Sequence, residues 1–187
     1  MGFYNVIPDK NIPIDIIFKY IVDIAVAILF GVFVMHFMGI QTEVVGNSMS
    51  EELLNHDNVL INRFTYNLQS PNRYDVISFS KKNDEGEQVE YIKRIIGLPG
   101  DTIQIKEGRV YVNDKQIDYN AKKESIVNAG LAAEQIHLGE EEYFVMGDNW
   151  NSSEDSRSNS VGVVELDEIN GKIWLIVSPF VRINPVK

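Results

Sequence analysis

The sequence predicts a mainly β fold, a coiled antiparallel sheet or barrel-like sandwich, behind one N-terminal apolar helix. Two observations carry that class. Residues 20–40 (YIVDIAVAILFGVFVMHFMGI) form one long apolar run, and the chain beyond it is divided into short segments rich in Val, Ile, Tyr and Phe. A third observation sets the scale. The 187 residues suffice for one sizeable domain and not for several.

Taken in order, residues 1–19 read as a short lead in which Pro8 and Pro13 discourage a continuous helix. The run that follows is broken only by Asp23 and His36, each near an end. Its 21 residues, at ~1.5 Å each, span roughly the 30 Å hydrocarbon core of a bilayer. It is long for the apolar core of a cleaved leader, and no small-x-small site follows it closely, so it reads as a retained anchor. Lys10 and Lys19 precede it, and no Lys or Arg follows until Arg63. That asymmetry predicts a cytoplasmic N-terminus and an extracytoplasmic domain over residues 41–187.

The predicted strands are 58–64, 75–80, 90–96, 102–105, 109–112, 143–146 and 173–177, bounded by Gly, Pro, Asn or Asp. Gly108 and Asn113-Asp114 mark turns. Residues 119–139 are more polar and Ala-rich, and read as an inserted loop or small lobe.

Composition excludes several chemistries. The formal charge is −10, which argues against a nucleic-acid partner. There is no cysteine, hence no disulfide, thiolate metal site or cysteine nucleophile. No metal or other cofactor is expected.

Gly46-Asn47-Ser48-Met49 lies just past the anchor, so Ser48 would act close to the membrane surface. A serine hydroxyl is a weak nucleophile until a base takes its proton. The three histidines fit that task poorly: His36 is in the apolar run, and His56 and His137 are in polar stretches. Lys93 fits better. In Tyr91-Ile92-Lys93-Arg94-Ile95-Ile96, strand alternation turns one basic side chain inward and its neighbour outward. Burial disfavours the ammonium form and lowers a lysine pKa from its solvated ~10.4. Ser-Lys pairs are a known variant of the catalytic triad.

Together these segments resemble a bacterial type I signal peptidase of the Gram-positive kind. An apolar helix, VVGNSM, YDVISF, YIKRIIGLPGD and GDNWNSSEDSR occur in that family's order. The resemblance implies a serine peptidase with a catalytic dyad of Ser48 and Lys93. It implies that Ser153 orients the lysine amine, and that Arg94–Asp148 and Asp155–Arg157 are ion pairs around the site. Val44, Val45, Met49 and Tyr91 would line the substrate groove. Where some members carry a hydroxyl two residues before the nucleophile, this chain has Gly46, so the oxyanion would rely on backbone such as the Ser48 N–H. The expected partners are exported precursors with signal peptides, together with membrane lipid.

The chain departs from the family pattern after the nucleophile. Glu51 and Glu52 replace the usual Pro-Thr, His56 replaces a glycine, and Trp150 replaces an arginine. These departures resemble divergent signal-peptidase-like proteins of Gram-positive pilus assembly. They set up an alternative expectation: an assembly factor, with pilins as partners, acting wholly or partly without proteolysis.

Overall fold

A computed structural model of the chain describes residues 14–38, 40–82, 85–117 and 124–186. It divides into two units, residues 1–36 and 37–187. The expected lead over residues 1–19 lies outside the described residues up to Pro13.

The described residues of the first unit form one helix, α1, which runs over Ile14–Met38. It starts six residues earlier than the apolar run alone suggested. Lys19 and Asp23 therefore lie within the helix. Its Ile14–Val34 window is long and apolar enough to cross a membrane, and none of it is buried. An all-round apolar helix with no protein cover fits hydrocarbon as its solvent.

The second unit is β-rich. Its strands are β1 (Ile40–Glu43), β2 (Asn58–Asn62), β3 (Val76–Lys82), β4 (Gln88–Gly97), β5 (Thr102–Lys106) and β6 (Arg109–Val112). They are followed by β7 (Lys115–Gln116), β8 (Ile136–His137), β9 (Glu142–Met146), β10 (Val164–Glu165), β11 (Ile169–Ser178) and β12 (Asn184–Pro185). A single helical turn, α2, covers Thr65–Leu68. The larger sheet runs β1-β2-β11-β3-β4-β9-β10, with β12 also on β11, and the smaller runs β7-β6-β5-β8. Every described pairing is antiparallel.

Local chemistry explains the hairpins of the small sheet. Glu107-Gly108 between β5 and β6, and Asn113-Asp114 between β6 and β7, all have positive φ. That is the two-residue turn whose twist matches the flanking strands. Of the polar 119–139 stretch, residues 119–123 lie outside the described residues. The remainder carries a 3-10 turn over Gly130–Ala133 and then β8, which pairs with β5.

Three apolar clusters hold the unit together. One joins Ile103, Ile105, Val110 and Val112 of the small sheet to Phe144, Met146 and Trp150. A second gathers Val44, Met49 and Leu53 with Val59, Ile61 and Ile173. It roots the segment around Ser48 in the large sheet. A third lies around Ile77, Phe79, Ile95 and Val145.

Pairing leaves a feature that positions the site. β4 pairs with β3 from Gln88 to Arg94, but with β9 only from Arg94 to Gly97. Residues 88–93 thus have one edge that no described strand covers. β1 is the terminal strand of the same sheet. A groove lies beside these two edges.

Candidate active site

Ser48 sits in a tight turn between β1 and β2. The turn is closed by Ser50 N–H donating to Asn47 O at 3.1 Å and Leu53 N–H donating to Met49 O at 2.9 Å. Gly46 enters it with φ of 91°, and a Cβ there would meet nothing within 4 Å. The requirement for glycine is therefore conformational, not one of space. Gly46 N–H is fixed by Asn55 Oδ1 at 2.8 Å. Met49 is 1% exposed and pins the turn to the core.

Lys93 lies at the centre of β4, opposite Ile77. Its Nζ donates to Ser48 Oγ at 2.8 Å. No carboxylate among the described residues pairs with it, and its Nζ lies 5.7 Å from the Tyr91 ring centroid. Burial pulls its pKa down to about 8, against a smaller upward pull from Asp155 and Glu154. The groove above the pair encloses about 470 Å³ and is walled by Val44, Val45, Gly46 and Met49 on one side and Tyr91 and Ile92 on the other. Tyr91 is held by stacking on Phe79, with centroids 5.4 Å apart.

Arg94, one residue on, points to the opposite face of the strand. Its Nε and Nη2 donate to Asp148 Oδ1 and Oδ2 at 2.9 and 2.6 Å, and its Nη1 donates to Tyr74 O at 2.9 Å. Asp155 is fully buried and accepts from Arg157 Nε and Nη2, both at 2.8 Å, and from Gly147 N–H at 3.0 Å. Arg157 also donates to Trp150 O at 2.6 Å and to Asn128 O at 3.3 Å. The two pairs knit residues 147–157 into a fixed loop beside Lys93.

Ser153 departs from expectation. Its Oγ is buried and has no hydrogen-bond partner among the described residues, so the anticipated bond to the lysine amine is not formed. Ser153 packs instead against Gly147, where an added Cβ would collide with its Oγ and Cβ.

Two contributors to the site were not picked out from the sequence. Asn149 N–H donates to Ser48 O at 2.9 Å, and its side-chain amide donates to Asn47 O at 3.3 Å and Ser50 Oγ at 3.1 Å. Gly147 leaves no room for a side chain, since a Cβ there would collide with Ser153 Oγ and Ser48 O. Both fall in the GDN of the last motif, which was the available signal.

The profile of the family described as signal peptidase, peptidase S26, matches residues 17–178. The chain belongs to that family. Membership makes it a serine endopeptidase. Signal peptidase I S of Bacillus subtilis strain 168 is 30% identical to the peptidase over 165 residues, covering 84% of this chain and 86% of that one. Signal peptidase I P of Bacillus subtilis subsp. natto is 33% identical over 178 residues, covering 91% and 94%. A crystal structure of a signal peptidase I from Enterococcus faecalis V583 aligns at 29% identity over 56% of this chain and 97% of that one, with a TM-score of 0.44.

The structure gives physical accounts of the peptidase's departures. Glu51 has φ of 119°, a value a proline ring cannot adopt, so the family's proline is incompatible with the loop as built here. Trp150 is buried in the cluster that joins the two sheets, where its ring serves as apolar core. His56 Nδ1 lies 2.6 Å from Glu43 Oε1 at an exposed rim. None of these changes separates Ser48 from Lys93.

Proposed function

We propose that this chain is a membrane-anchored signal peptidase, with Ser48 as nucleophile and Lys93 as general base. α1 is the anchor, with the N-terminus cytoplasmic and the β unit outside. The observation that carries the reading is the 2.8 Å contact between Lys93 Nζ and Ser48 Oγ at the floor of a groove.

The chemistry follows from the burial of the amine. A lysine with a pKa near 8 is neutral in an appreciable fraction of molecules at neutral pH. In that form it accepts the Ser48 proton while Oγ attacks the scissile carbonyl carbon. The tetrahedral oxyanion takes a hydrogen bond from the Ser48 N–H, which has no partner among the described residues. Collapse breaks the C–N bond, and the lysine proton goes to the leaving amine. Water then attacks the acyl-serine, with Lys93 again taking the proton, and releases the signal peptide.

Substrate recognition rests on the uncovered edges of β1 and of residues 88–93. An extended precursor segment adds there as a strand, and small side chains enter the shallow space between Val44, Met49 and Tyr91. The test is cleavage of a synthetic signal-peptide substrate by the wild type, Ser48→Ala and Lys93→Ala. Loss of cleavage in both variants is expected. Equal cleavage by all three would remove the dyad from the reading.

A further inference from the structure

We infer that Arg182 is a positioning residue for the nucleophile, acting through Asp57 on the loop that carries Ser48. The inference rests on the dyad reading above. It concerns a residue past position 178, where the family match ends.

The loop from Ser48 to Asp57 is fastened at both ends. At the serine end Asn149 holds it, as described. At the other end everything converges on Asp57. Its backbone carbonyl accepts from Val44 N–H at 2.8 Å, in the groove wall, and His56 N–H returns a bond to Val44 O at 2.8 Å. Its carboxylate accepts from Leu54 N–H at 2.8 Å. The same carboxylate receives Arg182, with Nε to Oδ1 at 3.0 Å and Nη2 to Oδ2 at 2.9 Å. Arg182 Nη2 also donates to Glu52 O at 3.1 Å. One guanidinium therefore grips the loop at two points, as a planar fork can and an ammonium cannot.

Asp57 is 1% exposed. A carboxylate that deep needs a counter-charge, and Arg182 is its one ion-pair partner among the described residues. The grip also answers a strain. Glu51, between the two fastenings, has φ of 119°, which an L side chain rarely adopts. Such a backbone persists only when its surroundings over-determine it. Arg182 is well placed to do so. It sits on the 3-10 turn Phe180–Arg182 directly after β11, and the end of that strand, Ser178, pairs with Asn58, the residue after Asp57.

Release of the clamp frees the loop to relax away from the position where Ser48 Oγ meets Lys93. Small displacements of reacting groups cost large factors in rate. The test uses the full chain in detergent with a synthetic signal-peptide substrate. Ser48→Ala runs alongside as the zero of activity. Arg73→Ala is the control for stability, because Arg73 pairs with Asp101 at 2.8 Å and contacts no residue of the 48–57 loop among its described bonds.

The expected result is a drop of about tenfold or more in kcat for Arg182→Ala, larger than any change in KM, with Arg73→Ala within about twofold of wild type. Arg182→Lys should recover part of the loss, and hydrogen exchange at the Leu54 amide should quicken in Arg182→Ala. If Ser48→Ala is inactive but Arg182→Ala matches wild type, or loses no more kcat than Arg73→Ala, the clamp is overturned while the dyad stands. If Ser48→Ala still cleaves, the dyad reading fails and the clamp with it.

Discussion

The two faces of β4 treat neighbouring cations in opposite ways. Arg94 is 1% exposed and receives a bidentate carboxylate from Asp148 and a carbonyl from Tyr74. Lys93 is 5% exposed and receives a serine hydroxyl and an aromatic ring, with no carboxylate paired to it. Both faces desolvate a positive charge. One compensates the charge and gains a rigid strut. The other withholds compensation, which is what the proposed base requires. The difference lies in the partner supplied, not in the depth of burial.

Substitutions on either face test that contrast. The largest effect is expected from Lys93→Arg. A guanidinium stays protonated at any working pH, so it keeps the charge and loses the base. Cleavage should fall by about a hundredfold or more, the span attributed to general-base catalysis, as measured by kcat/KM on a signal-peptide substrate. On the other face, Arg94→Met leaves Asp148 buried without its main counter-charge. Denaturant unfolding should show a loss of about 3–5 kcal/mol. Retained stability would mean that Asp148 has found water or another partner. A smaller effect is expected from Ser153→Ala. If the hydroxyl aims the neutral amine, kcat should fall by roughly three- to tenfold, the worth of one hydrogen bond. An unchanged kcat would make Ser153 a packing residue against Gly147.

Much of this was legible before the fold was known, and the reasons differ by element. β6 matched its expected bounds because Gly108 and Asn113-Asp114 punctuate it. Lys93 was legible because strand alternation in YIKRII separates it from Arg94, and Ser48 because its motif could be ordered with the others. Short strands such as β7, β8, β10 and β12 were not, since two residues carry no period. α1 began earlier than expected because Lys19 interrupts the apolar pattern without interrupting the helix. The contacts of Asn149 and Arg182 with the serine loop were hidden for another reason, although the GDN motif marked Asn149 as a residue of interest. Both touch the serine loop from far along the chain, 101 and 134 residues beyond Ser48 (149 − 48 and 182 − 48). No local pattern encodes such a contact.

If Lys93 works as an uncharged base, the rate of cleavage must follow the titration of its amine. The sign follows from burial. A desolvated lysine has its pKa lowered, to about 8, so the competent neutral form is lost as pH falls through that value. kcat/KM for a signal-peptide substrate should be level above about pH 8 and decline about tenfold per pH unit below it. Glu154→Gln, which removes an upward pull on Lys93, should move the midpoint to lower pH. A rate that stays level down to pH 6 would contradict a lysine base.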